Sequence, residues 1–118
     1  MMKKAVIYHN PRCSKSRETL ALLEQKGITP QVVLYLETPP SVSCLSELLQ
    51  QLAFNDARQL MRTKDELYTQ LNLADNHLTQ AQLLQAMADN PKLIERPIVV
   101  IQGKARLGRP PEQVLEIL

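Results

Sequence analysis

Ala5-Val6-Ile7-Tyr8-His9-Asn10-Pro11-Arg12-Cys13-Ser14-Lys15-Ser16-Arg17, running on without Gly or Pro to Lys26 and closing on Gly27, decides how this chain reads. Four apolar residues make a short buried strand, Pro11 stops it, and the segment from Ser14 to Lys26 has the length and ending of a helix. Next comes Val32-Val33-Leu34-Tyr35-Leu36, apolar at every position as strands covered on both faces are. The roughly 20 residues between the two strands suit a crossover, so a parallel β-α-β unit is expected. Near the other end, Ile98-Val99-Val100-Ile101 predicts a third strand, Gln102-Gly103-Lys104 a turn and Ala105-Arg106-Leu107 a weak fourth strand. Pro110-Pro111 then opens a last helix that lays Val114, Leu115, Ile117 and Leu118 on the sheet.

Residues 41–95, between these halves, read as helical throughout. Ser41 is placed to cap a helix carrying Leu45, Leu48, Leu49 and Leu52. Thr63-Lys64-Asp65-Glu66 and Thr79-Gln80-Ala81-Gln82 fit capping boxes, and Leu78 and Leu83 fit a staple around the second. The expected fold is α/β, a thioredoxin-like core (β-α-β, helices, β-β-α) forming one domain over 1–118 with a helical insert at about 41–95. The 118 residues suit one domain, and 14 Lys plus Arg against 12 Asp plus Glu give a net charge of +2, which does not indicate a nucleic-acid tail. Apolar runs fall short of the roughly 18–20 residues of a membrane span. The basic start at Lys3 and Lys4 precedes too short an apolar stretch for a leader, so a cytoplasmic protein is expected.

Two cysteines make no disulfide framework, and with two histidines they have no metal-ligand spacing. Cys13, where loop meets helix, is the candidate nucleophile. A helix start offers unsatisfied N–H groups and the positive end of the dipole, and Arg12, Lys15 and Arg17 add charge, so the thiol is expected to be acidic. Ser16 and Arg17 follow one turn along, the serine as a hydroxyl donor to sulfur and the arginine as a charge. His9 is a candidate base or electrostatic neighbour. Burying a structural cysteine among so many polar groups would be expensive, which favours the functional reading. Cys44, at the edge of a leucine stripe, reads as a small apolar filler, and His77 as surface. The motif is C-x-x-S, so a second thiol must come from elsewhere. Arg58, Arg62, Arg96, Arg106 and Arg109 are each solvated charges by default. Several converging on a thiolate would instead bind a tetrahedral oxyanion, because guanidinium donors form a planar fork that matches its oxygens.

His9-Asn10-Pro11-x-Cys13-x-x-Ser16-Arg17, Leu34-Tyr35-Leu36-Glu37, Glu95-Arg96-Pro97-Ile98-Val99-Val100 and Arg106-Leu107-Gly108-Arg109-Pro110 together resemble the glutathione/glutaredoxin-linked arsenate reductases of the ArsC type, closest to their YfgD-like branch. The resemblance implies that Cys13 is the nucleophile, that Arg62, Arg96 and Arg109 hold arsenate and its reaction products, and that His9 and Ser16 tune the sulfur, with Arg17 expected to join them as a charge one turn along. Arg58 and Arg106 match no anion-binding position. It also implies glutathione as co-substrate, glutaredoxin as partner and no bound metal or flavin. Arg12 and Lys15 are bulkier and more basic than the residues usual at those places. Two alternatives are an Spx-like regulator without catalysis, which usually carries C-x-x-C, and a general glutaredoxin-like thiol oxidoreductase, for which matches at Arg96 and Arg109 have no use.

Overall fold

The computed structural model describes residues 4–118; Met1–Lys3, including the basic Lys3, lie outside it. The chain forms two compact units, one holding the chain as far as Thr38 together with Arg96–Leu118, the other Pro39–Glu95.

The first unit is built on a four-stranded sheet in the order β2-β1-β3-β4, from β1 (Ala5–Tyr8), β2 (Gln31–Val33), β3 (Ile98–Ile101) and β4 (Lys104–Leu107). β1 runs parallel to β2 and antiparallel to β3, and β4 returns antiparallel to β3. Helix α1 (Ser14–Gln25) is the crossover from β1 to β2. The residues facing the core alternate along each strand, Ala5 and Ile7 on β1 and Val99 and Ile101 on β3, and they pack with Leu23, Val114 and Ile117. This is a thioredoxin-like α/β core.

A single register row gathers the loops at one end of the sheet. Tyr8 pairs with both Val33 and Ile98, and Ile98 pairs with Leu107. The His9–Cys13 loop, Leu34, Arg96-Pro97 and Gly108-Arg109 therefore all continue from that end. The Arg96–Pro97 and Arg109–Pro110 peptide bonds are both cis.

Several expectations are corrected by the structure. β2 stops at Val33, and Leu34–Thr38 form a turn in which the Leu34 carbonyl accepts from the N–H groups of Glu37 and Thr38. As an edge strand it leaves Val32 44% exposed while Tyr35, beyond it, is buried, so an all-apolar run did not mean cover on both faces. The last helix, Pro111–Ile117, is 3₁₀ rather than α. Its buried residues Pro111, Val114 and Ile117 recur every third position, the repeat of a 3₁₀ turn, and Leu115 points out. The Gln102-Gly103 turn has both residues at positive φ, as a tight two-residue hairpin requires.

The second unit holds α2 (Val42–Leu52), α3 (Glu66–Gln70) and α4 (Gln80–Asp89), with 3₁₀ turns at Ala57–Leu60 and Pro91–Leu93. Ser41 caps α2 by accepting from the Cys44 N–H, and Thr79 and Gln82 form the expected capping box of α4. Thr63 caps nothing. A turn places Asp65 at the start of α3, where its carboxylate accepts from the Leu67 N–H and favours the positive helix end. Residues 41–95 are thus not helical throughout: left-handed backbone at Ala53 and Asn72 separates the pieces.

Gly108 connects β4 to Arg109, and its N–H donates to the Pro97 carbonyl at 2.9 Å. A methyl group there would collide with Thr19 Oγ1 and lie 2.7 Å from Pro97 Cγ. Thr19 has little room to yield, being fully buried with its hydroxyl donating to the Lys15 carbonyl at 2.8 Å. Gly108→Ala is expected to destabilise the fold by about 1–3 kcal/mol in denaturant titration.

Candidate active site

Cys13 is the N-cap of α1, and its side chain is 9% exposed. Burial alone would push its thiol up. That cost is outweighed by the N–H of Ser16, the Arg96 guanidinium, the N–H of Lys15 and the Arg109 guanidinium, which together hold the thiol below its ordinary value. Arg109 Nη2 lies 3.8 Å from the sulfur, and its Nε donates to the Arg96 carbonyl at 2.8 Å, so the two arginines are tied to one another.

The activating charge therefore comes from 83 and 96 residues along the chain. Arg12, Lys15 and Arg17, the basic neighbours in sequence, do not supply it through their side chains. Lys15 Nζ is 3.7 Å from Glu18, and Arg17 Nη1 donates to the Pro11 carbonyl at 3.1 Å, closing the loop onto the helix. Arg17 acts electrostatically on His9 instead.

Ser16 is fully buried, and its hydroxyl faces away from the role expected of it. The oxygen accepts from the Asn10 N–H at 3.0 Å and lies 2.6 Å from His9 Nδ1. A buried hydroxyl proton needs an acceptor, and His9 Nδ1 is the one beside it, so the serine donates and His9 carries its proton on Nε2. Burial, and after it the charge of Arg17, hold His9 below its ordinary value and keep it neutral near pH 7. What Ser16 gives to sulfur is its backbone N–H; its side chain fixes the loop through His9 and Asn10.

This has a pH signature. With a folded pKa below the unfolded value of about 6.5, His9 binds fewer protons in the folded state. Its contribution to stability is fully present above that value and is lost as pH falls through the folded pKa. The unfolding free energy is expected to fall as pH drops below about 6.5, and to fall less steeply in His9→Asn.

Arg96 supplies the most informative detail. Its Nε and Nη1 are buried and have no hydrogen-bond partner among the described residues. Orphaned guanidinium donors cost free energy unless something accepts from them, and here they belong to a group whose charge acts on the Cys13 sulfur. Arg62 belongs to the helical unit, where its Nη1 is 3.3 Å from Asp65 and its Nε 4.0 Å from Glu95. Arg58 and Arg106 have structural work. Arg58 donates to the carbonyls of Leu73 and Asp75, and Arg106 to Glu116 and the Ala105 carbonyl. Cys44 is half-buried on α2. No helix among the described residues is long and apolar enough to cross a membrane.

A thioredoxin-like core that presents one acidic cysteine at the mouth of its first helix, with two arginines converging on the sulfur, defines a thiol-redox class able to handle anions. The ArsC family model matches residues 8–117, and the chain belongs to the ArsC family. It is 64% identical to the YfgD protein of Escherichia coli K12 over 118 residues, covering 100% of this chain and 99% of that one. It is 58% identical to the arsenate reductase of Haemophilus influenzae over 113 residues, 96% of this chain and 97% of the relative. The solved structure of the arsenate reductase from Vibrio cholerae superposes with a TM-score of 0.98 at 64% identity, with 100% of each chain covered.

Alkylation of Cys13 by a neutral reagent is expected to rise with pH through a midpoint below the roughly 8.5 of a free thiol. A midpoint at or above that reference would refute the activated thiolate.

Proposed function

We propose that this protein is a cytoplasmic, glutathione- and glutaredoxin-dependent arsenate reductase. The observation that carries the proposal is the pair of unmatched, buried N–H-bearing atoms on Arg96 beside an acidic thiol. The relatives named arsenate reductases supply the substrate class.

In this reading Arg96 and Arg109 bind the arsenate oxygens. Arsenate near neutral pH is largely a dianion, and fixed positive charge offsets its repulsion of an attacking thiolate. Cys13 Sγ attacks arsenic, a protonated oxygen leaves as water, and a covalent arseno-cysteine forms. A glutathione thiolate then attacks Cys13 Sγ. The S–S bond forms as the S–As bond breaks, and its electron pair departs with arsenic, which passes from As(V) to As(III). Glutaredoxin attacks the glutathione sulfur of the mixed disulfide and returns Cys13 as thiolate. Glutathione is thus a co-substrate, and no bound metal or flavin takes part. Arg62 joins the anion site by resemblance alone.

The test is arsenate-dependent NADPH oxidation coupled through glutathione reductase, glutathione and glutaredoxin. Turnover that requires all three components is expected. Turnover of mixed disulfides with none of arsenate would instead favour a general thiol oxidoreductase.

A further inference from the structure

The helix that carries Cys13 meets the segment that carries Arg109 at one side chain. The buried face of α1 is Ser16, Thr19 and Leu23. Ser16 fixes the loop before Cys13, Leu23 enters the core, and Thr19 stands between them, fully buried. Gly108 sits directly on Thr19. A Cβ on that glycine would collide with Thr19 Oγ1, lie 3.0 Å from Thr19 Cγ2 and 2.7 Å from Pro97 Cγ. Gly108 precedes Arg109, and Pro97 follows Arg96. The Gly108 N–H donates to the Pro97 carbonyl at 2.9 Å and Arg109 Nε to the Arg96 carbonyl at 2.8 Å, so the two arginine segments are tied to each other twice.

The Thr19 hydroxyl donates to the Lys15 carbonyl one turn back at 2.8 Å, which fixes its rotamer from within α1. Its orientation is thus set by the helix whose first N–H groups, those of Lys15 and Ser16, meet the Cys13 sulfur, while its contact is made with the arm that bears Arg109. A glycine on one side and a hydroxyl oxygen on the other allow an approach that a Cβ or a methyl group would block.

We infer that Thr19 is a positioning residue for the Cys13 site: by seating Gly108 against α1 it sets the distance from the sulfur to the Arg109 guanidinium, and through the two bonds between the segments to that of Arg96. Thr19 itself touches no reacting atom. Arg109 Nη2 reaches the sulfur at 3.8 Å, and both the contact and the Coulomb energy weaken as that separation grows. The inference concerns the field at the sulfur and does not rest on arsenate being the substrate.

The test compares alkylation by anionic iodoacetate and neutral iodoacetamide in a Cys44→Ala background, where Cys13 is the one thiol. Thr19→Val puts a methyl group where the oxygen stands and presses Gly108 away from α1. The iodoacetate-to-iodoacetamide rate ratio, read at a pH where the thiolate is fully formed, is expected to fall by about threefold. The pH midpoint of the iodoacetamide reaction is expected to rise towards that of a free thiol. Thr19→Ala only removes atoms and leaves Gly108 unseated, so its ratio should fall as well, by about twofold, and it supplies the measurement if the valine variant does not fold. Thr19→Ser keeps the hydroxyl and should keep the wild-type ratio and midpoint. A structural role alone would lower stability in denaturant titration and move neither quantity. Unchanged ratio and midpoint in every variant that folds overturn the inference, and so does a serine variant that falls as far as the valine one. No arsenate enters this measurement: a wild type that fails to turn arsenate over would remove the substrate reading and leave the role of Thr19 to be decided by the alkylation ratio.

Discussion

Cys13→Ser is expected to reduce arsenate turnover to background, a loss of at least about a thousandfold, in a protein that remains folded. A serine hydroxyl is hardly ionised at pH 7, so the helix-end N–H groups and the two arginines that stabilise a thiolate have no anion to stabilise. In the proposed cycle an oxygen at this position also cannot form the mixed disulfide that carries the two electrons. The change is nearly isosteric, which separates loss of chemistry from loss of fold; circular dichroism and denaturant titration check the latter. Cys44→Ala should retain most activity, because Cys44 is a half-buried residue of α2 whose N–H donates to the Ser41 cap, a bond that alanine keeps. Should Cys44→Ala be as inactive as Cys13→Ser while folded, an internal resolving thiol would replace glutathione in the proposed cycle.

Arg96→Lys and Arg109→Lys are each expected to lower kcat/KM for arsenate by at least about tenfold, equivalent to roughly 1.4 kcal/mol of lost transition-state stabilisation. Lysine keeps the charge that helps the thiolate, so alkylation of Cys13 by a neutral reagent should change much less. What lysine loses is the fork. At position 96 it removes two buried nitrogens that no protein group satisfies among the described residues, the donors assigned to the arsenate oxygens. At position 109 it removes both the Nη2 contact to sulfur and the Nε bond to the Arg96 carbonyl, and with that bond the alignment of the pair. Arg58→Lys is the comparison. Arg58 holds the Leu73 and Asp75 carbonyls in the helical unit, so its effect should appear in stability, with kcat/KM of the folded protein within about twofold of wild type. An equal loss of arsenate turnover from Arg58→Lys would refute the assignment of the fork to Arg96 and Arg109.

The strand, loop and helix around Cys13 were legible in residues 5–27 because each signal there is local. A short apolar run, a proline that ends it and an uninterrupted helical segment closing on Gly27 need no distant partner to act. The same holds for the hairpin at Gln102-Gly103 and the caps at Ser41 and Thr79, whose hydrogen bonds span three residues or fewer. The thiol's acidity was legible for the same reason in part, since orphaned N–H groups belong to any helix start. Burial was less readable. Val32 and Tyr35 lie in one apolar run, yet only the position of β2 at the sheet edge, a property of strand order, exposes one and not the other.

Tertiary structure decided which charges reach the sulfur. Arg12, Lys15 and Arg17 are close in sequence, but a side chain at a loop or a helix start points where its own backbone sends it: Lys15 toward Glu18 and Arg17 toward Pro11. Arg96 and Arg109 are far in sequence, yet pairing of Tyr8 with Ile98 and of Ile98 with Leu107 sets the chain leaving β1, entering β3 and leaving β4 at one end of the sheet. Coulomb energy depends on separation in space, and strand register, which pattern along a single segment does not encode, sets that separation.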